Sequence, residues 1–372
     1  MKPERIFICL LISLSLLTTA CQAQNPRAPI TLPTTTQGTL NGAGYHITIP
    51  KNWHGGLILY AHGYVFRDQA STVKTAFANM LGELGYAVAQ SQFSRQGWAV
   101  EEGMQDTEAL RAYFEATYGE TYPTLIIGHS QGAAITLGLI EQHPQSYDGA
   151  LPMCFSGHSS LTYLQNRGFD TRVLFDLYFP GLSGSAVDFP HGKNTYEKLK
   201  SEAEQLLKGK DEAAAQLADL LNLSSAEHIP WVVAFWSELL RELNLRSGGN
   251  PFDNRNTLYT GSDNDAELNR RVARYAAVPQ AAAYLRRWVR LTGDIRKPVL
   301  ALHTLSDELS TPHEANQYQI KVAEAGKQAR YVLQMVNRHQ HCDFTVAETK
   351  TAVRQLTDWV KTGLRPQPGD VT

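Results

Sequence analysis

The chain has 372 residues, 43% hydrophobic and 19% charged, enough apolar material for one large domain with an insertion or for two smaller domains. Its formal net charge of −2 comes without clustered Lys and Arg, so phosphate binding is not its chemistry and no nucleic-acid partner is expected. A small or neutral substrate suits this balance better.

Taken from the N-terminus, Lys2 and Arg5 precede an apolar run from Ile6 to Leu17, shorter than the roughly 20 residues a helix needs to span a bilayer. This predicts a signal peptide over residues 1–23 and export to the periplasm or the outside. Two exits remain open. Cleavage can follow Ala20 or Ala23; alternatively "LTTAC" resembles a lipobox with Cys21 as the lipid-anchored residue, although Thr18 stands where that pattern prefers Leu, Val or Ile. Residues 24–44 read as a flexible Pro/Thr/Gly leader without apolar periodicity. Of the four cysteines, Cys9 and Cys21 fall in the signal, which leaves Cys154 and Cys342 to form at most one bridge.

Short apolar runs then alternate with longer amphipathic ones. Strands are predicted at Tyr45 to Pro50, Leu57 to Gly63, Tyr86 to Ser91, Thr124 to Gly128 and Gly149 to Cys154. Most are apolar throughout, as strands buried on both faces are. Helices are predicted at Ser71 to Leu84, Glu101 to Tyr118 and Gln131 to His143, the last closed by Pro144. The rhythm resumes near Lys297, with strands at Pro298 to Thr304 and Ala329 to Val336, a helix ended by Gly326, and a closing helix from Phe344 to Thr362. The expected fold is α/β: a mostly parallel, doubly wound sheet formed by residues 45–156 and 297–364. Residues 157–296 have almost no strand signal and read as a helical insertion. Ser224-x-x-Glu227 looks like a capping box ahead of a helix whose Ile229, Val232, Trp236, Leu239, Leu240 and Leu243 share one face. Trp231, Phe235 and Trp236 are packing residues by default and substrate contacts as the alternative. "GGNPFDNRNTLYTGSDND" reads as a long polar loop.

The chemistry centres on Gly128-His129-Ser130-Gln131-Gly132, a G-x-S-x-G sequence between a buried strand and a helix of small residues. A sharp strand-to-helix turn would strain Ser130 and expose its hydroxyl, and glycines at both flanks would let neighbouring backbones pass closely. A serine nucleophile needs a histidine base and an acid to orient it. Among 12 histidines, His129 is in the turn itself, His62 sits in a His-Gly turn and His303 lies within a strand. His341 is favoured over its neighbour His339, because a loop after the last strand can return over Ser130. Asp307, at the carboxyl end of "PVLALHT", is the expected acid, with Glu308 pointing elsewhere. The oxyanion hole would be the backbone N–H groups of Tyr64 and Gln131. A His-x-His metal pair has no third ligand nearby, and the chemistry calls for neither metal nor organic cofactor.

With Ser130, Asp307 and His341 in that order, the sequence resembles the α/β-hydrolase superfamily, in particular capped, secreted bacterial serine hydrolases in which "SRQGWAVEEGMQDT", "GHSQG", "YDGALPMC" and "HCDF" recur in similar forms. The likeness covers roughly residues 45–160 and 297–362 and implies a helical cap over the site. It implies a carboxylic ester hydrolase acting on small-molecule or polymer esters through an acyl-enzyme. A capped peptidase of the prolyl aminopeptidase kind is the alternative; it would need an acidic anchor such as Asp253, Asp263 or Asp265. A non-catalytic binding protein with this fold is a further one. Feruloyl esterases and tannases carry a disulfide between a Cys before the Ser and a Cys after the His. Here His129 replaces the first, and the resemblance makes Cys154 the substitute partner of Cys342.

Overall fold

The computed structural model describes residues 30–155, 161–190, 192 and 195–371. The expected signal peptide, and with it Cys21, lies outside these residues. No helix of the described residues is long and apolar enough to cross a membrane.

Nine strands make one sheet: β1 (Thr34–Leu40), β2 (Ala43–Ile49), β3 (Leu57–Ala61), β4 (Ala87–Ser91), β5 (Thr124–His129), β6 (Gly149–Met153), β7 (Val299–Ser306), β8 (Tyr331–His339) and β9 (Gly369–Asp370). Their spatial order is β1-β2-β4-β3-β5-β6-β7-β8-β9. β1 and β2 run antiparallel to their neighbours, and the rest of the sheet from β4 to β9 is parallel. Parallel pairs require crossovers, and α1 (Thr75–Gly82), α2 (Val100–Tyr118) and α3 (Gln131–Gln142) supply the first three. The strands that read as continuous apolar runs do alternate faces. Ile58, Val88, Leu125, Ile127, Leu151 and Val332 pack under α1 and the C-terminal helix. Leu57, Leu59, Ala87, Ala89, Ile126 and Val299 pack on the opposite face. Both faces are covered, so period-two alternation is invisible in the sequence.

The leader expectation needs correction over residues 34–44. Thr34 to Leu40 forms β1, paired residue for residue with β2 from Thr34 opposite Ile49 to Leu40 opposite Ala43. The cause is the Asn41-Gly42 turn: both residues adopt positive φ, 51° and 85°, the backbone of a tight hairpin. The threonines suit an edge strand with one wet face. β9 and the extension of β8 to His339 were likewise not legible.

Between β6 and β7 the described chain is helical or irregular, as expected of the insertion. It contains α4 (Leu161–Tyr163), a π-helical turn (Leu164–Phe169), α5 (Asp170–Tyr178), α6 (Thr195–Leu207), α7 (Asp211–Leu220), α8 (Ile229–Ser247), α9 (Asp265–Arg271) and α10 (Pro279–Trp288). α11 (Pro312–Glu324) and α12 (Val346–Thr362) complete the core. One expectation about the insertion fails. The helix entering α8 is capped by Ser225, whose hydroxyl accepts from the Glu227 N–H, and not by Ser224. The intervening 3-10 turn over Ala226–His228 shifts the cap by one residue. Residues 248–264 form a loop, as expected, but it buries Phe252, Asn254 and Tyr259; Tyr259 donates to Asp170 on α5 at 2.7 Å. Aromatic anchors hold it down without periodic structure.

At the junction of β5 and α3 the backbones crowd together. A Cβ on Gly132 would lie 2.0 Å from the Ala61 carbonyl oxygen at the end of β3, and one on Gly128 2.1 Å from the Gly132 carbonyl oxygen. Nothing lies within 4 Å of a Cβ on Gly42. Two alanine substitutions should therefore differ sharply in urea unfolding. Gly42→Ala costs about 1 kcal/mol through backbone strain alone, whereas Gly132→Ala must push the start of α3 away from the end of β3 and costs at least about 3 kcal/mol or prevents folding.

Candidate active site

Because β3, β5, β7 and β8 are parallel, the loops leaving their carboxyl ends share one edge of the sheet. The strand order reverses at β3 and β5, so a crevice forms where their two crossovers part to opposite sides. Ser130 follows β5 directly and has φ 54° and ψ −120°, a strained conformation for a residue with a side chain. Its N–H donates to Met153 O at 3.1 Å, which ties the turn to β6.

The structure brings Ser130, His341 and Asp307 together in a continuous chain. Ser130 Oγ lies 2.8 Å from His341 Nε2, and His341 Nδ1 lies 2.7 Å from Asp307 Oδ2. The Asp307 side chain is fully buried and its other oxygen accepts the N–H groups of Leu309 and Ser310, at 2.9 and 2.8 Å. Burial pushes this carboxyl up, but the hydrogen bond and charge of His341, with His303 and the Ser310 N–H, outweigh it and hold it below the usual carboxylate value. A depressed acid stabilises the fold above its unfolded value, and that contribution is lost as pH falls through the folded one. Glu308 points away, to Ser224 and His228.

The other histidines stay out of this chain. His339 ends β8 exposed. His303 is buried with Nδ1 2.8 Å from the Thr304 carbonyl. His62 stacks on Phe93 at 4.0 Å and joins Ser71 through Nε2 at 3.2 Å, fixing the turn before Tyr64. His129 packs among Tyr60, Phe77 and Phe344. Burial, followed by the nearby His341, lowers its pKa to about 4.

The chain before Tyr64 passes Ser130, a Cβ on Gly63 lying 4.0 Å from its Oγ, and the Tyr64 N–H is engaged in no hydrogen bond among the described residues. The Gln131 N–H opens α3, where a helix has no acceptor for it. Gln131 is also a brace: its side-chain oxygen accepts the Ala99 N–H and its amide donates to Gly97 O, both at 3.3 Å. The Tyr64 ring rests against Phe235 of α8, with centroids 5.5 Å apart. Of the aromatic stripe, Trp236 is core, packed on Tyr163, and Trp231 lines a cavity of about 680 Å³ beside His341.

Cys154 and Cys342 are joined in a disulfide, Cα atoms 5.1 Å apart, which ties the His341 loop to the end of β6. Cys154, Gln340 and Cys342 have φ of 45°, 78° and 62°. With Ser130, four of the seven non-glycine residues at positive φ among the described residues converge here.

Sequence reasoning missed how the insertion grips the acid's loop. The Tyr163 hydroxyl donates to Leu309 O, Arg167 Nη2 donates to Glu308 O at 2.8 Å, and Ser224 binds the Glu308 carboxylate. Ser310 Oγ donates to Phe155 O, after β6. No motif announces these contacts; only the π-helical turn that carries Arg167 is unusual, and it is not a sequence signal. The three insertion carboxylates considered as amine anchors are engaged elsewhere. Asp253 pairs with Arg255, Asp263 with Gln216 and Asp265 with Ser262. None of them lines the cavity beside His341.

Two substitutions test this arrangement. Replacing both Cys154 and Cys342 by Ser should lower unfolding free energy by about 2–4 kcal/mol, because a link across 188 residues no longer restricts the unfolded chain. His129→Phe should flatten the acid side of the stability profile. The unfolded chain protonates this imidazole below 6.5 while the fold keeps it neutral to about 4, so wild-type stability falls as pH drops through that window.

No family model matches the sequence, and no curated protein matches it. Solved structures do resemble the fold. An esterase from Aspergillus oryzae aligns over 88% of this chain and 79% of its own at 14% identity, with a TM-score of 0.51. Feruloyl esterase B from the same organism aligns over 88% and 80% at 14% identity, TM-score 0.49. Brefeldin A esterase, described as a bacterial homologue of human hormone-sensitive lipase, aligns over 90% and 79% at 15% identity, TM-score 0.46. A nine-stranded, mostly parallel sheet with a sharply turned Ser after β5 and helices on both faces is the α/β-hydrolase fold, and this chain has it.

Proposed function

We propose that this chain is a serine hydrolase of carboxylic esters working through an acyl-enzyme. The hydrogen-bonded line from Ser130 Oγ through His341 to the buried Asp307 carries the reading. His341 takes the Ser130 proton as Oγ attacks the ester carbonyl carbon, and Asp307 holds the imidazole with Nε2 toward the hydroxyl. The carbonyl oxygen turns negative between the N–H groups of Tyr64 and Gln131. His341 then gives the proton to the departing alkoxide as the C–O bond breaks, and the same groups activate water to release the acid.

Esters are favoured over peptides because this generic machinery suffices for an alkoxide leaving group, and because the Aspergillus oryzae structure that aligns with a TM-score of 0.51 is an esterase. The helical insertion serves as a cap: Phe235 and Trp231 on α8 bring aromatic surface to the site. The N-terminal signal directs the protein out of the cytoplasm, either free after cleavage at Ala20 or Ala23 or anchored through Cys21.

A fluorophosphonate probe should label the wild-type protein and leave Ser130→Ala unlabelled. Equal labelling of the two would refute the assignment. Asp307→Asn should keep the fold and lower kcat for a p-nitrophenyl ester by roughly 10³–10⁴, the scale set by losing the correct imidazole tautomer.

A further inference from the structure

The cavity beside His341 has a chemistry of its own. Ser224, His228 and Trp231 line it from the insertion, Glu308 from the loop after β7, and His339 and His341 from the end of β8. Among the described residues Glu308 is the only carboxylate of the lining, and no Lys or Arg belongs to it. Its side chain is largely buried, and among the described residues the one charged or chargeable partner within ion-pair distance is His228, at 3.3 Å. Arg167 reaches only the Glu308 main-chain carbonyl. Ser224 holds the carboxylate through both its hydroxyl and its N–H. A carboxylate accepts about four hydrogen bonds, so acceptor capacity remains after these contacts. Trp231 adds an indole to the same wall, edge to face with His228 at 6.1 Å.

The position assigns this cavity a part of the substrate. In the mechanism proposed above, on which this inference rests, the carbonyl oxygen points to the Tyr64 and Gln131 amides and the leaving oxygen must come within reach of His341 Nε2. The alcohol half of the ester therefore extends along the His341 flank. We propose that this cavity binds the alcohol portion of an ester carrying a cationic ammonium group, with Glu308 and Trp231 as its specificity-determining residues. A carboxylate with little solvent attracts an ammonium more strongly than it would in water, and an indole face adds cation–π attraction without hydrogen-bond geometry. Ser224 and His228 hold Glu308 in place. The covalent chemistry is unchanged: the ester C–O bond breaks, and the proton held by His341 passes to the aminoalcohol oxygen.

The test compares two alcohols on one acyl group, the acyl being the one turned over best as its p-nitrophenyl ester. One ester carries trimethylammonioethanol; the other is its uncharged isostere with a tert-butyl group in place of trimethylammonio. Wild-type protein should favour the cationic ester in kcat/KM by about fivefold or more, a modest share of the contact energy available. Glu308→Gln should bring the ratio close to one, and Trp231→Leu should lower it while leaving it above one. A ratio cancels any general loss of rate in either variant, and the wild-type ratio needs no variant at all. Ser130-dependent hydrolysis of both esters without preference, or a preference that survives Glu308→Gln, overturns the inference and leaves the hydrolase reading intact. Absence of Ser130-dependent turnover of any ester removes both.

Discussion

The backbone of Gly132 runs so close to the Ala61 and His62 carbonyls that no side chain fits between them. That approach, with Gly128 folded against Gly132, permits the sharp turn that holds Ser130 at φ 54°. The strain is sustained by what surrounds it: β5 from Thr124 to Gly128 is buried between β3 and β6, and the Ser130 N–H is tied to Met153. A hydroxyl raised above the sheet edge is therefore a consequence of strand packing. Everything else at the site is arranged around it.

His341 and Asp307 arrive from sequence positions some two hundred residues away, and their loops are restrained from two directions. From beneath, the disulfide fixes Cys342 to the end of β6, and Thr304 Oγ1 donates to Gln340 O. From above, Tyr163, Arg167 and Ser224 fasten residues 308 and 309, next to the acid. The insertion thus has a structural task besides shaping space: it holds the loop whose own N–H groups, from Leu309 and Ser310, bind Asp307, while His341 does most to hold that carboxyl below its usual value. In the proposed mechanism, preorganisation of this kind spares the reaction the work of reorienting dipoles when charge develops.

Much of this was legible from residue order. Buried strands separated by helix-length crossovers imply a parallel sheet, and a parallel sheet puts its functional loops at one edge, which is how Ser130, Asp307 and His341 could be linked in advance. The errors came where local signals competed. Asn41-Gly42 is a hairpin turn, yet Thr-rich edge strands lack the apolar alternation that would distinguish them from a leader. Ser224-x-x-Glu227 matched a capping box, but a 3-10 turn moved the cap to Ser225 and left Ser224 free to bind Glu308. Phe252, Asn254 and Tyr259 lie in an aperiodic stretch, and burial without periodicity leaves no pattern to read.

The sequence by itself determined the fold class, the sharp serine turn and the identity of three residues that meet in one hydrogen-bonded line. Each rests on local rules: steric tolerance at glycine, periodicity of burial, and the position of a residue just past a strand. Only the tertiary structure decided that His341 Nε2 meets Ser130 Oγ at 2.8 Å, that Cys154 bonds Cys342, and that Glu308 turns into a cavity walled by Trp231. Those outcomes depend on distances between segments remote in the chain, fixed by how the insertion packs on the sheet edge, and no short-range pattern encodes such packing.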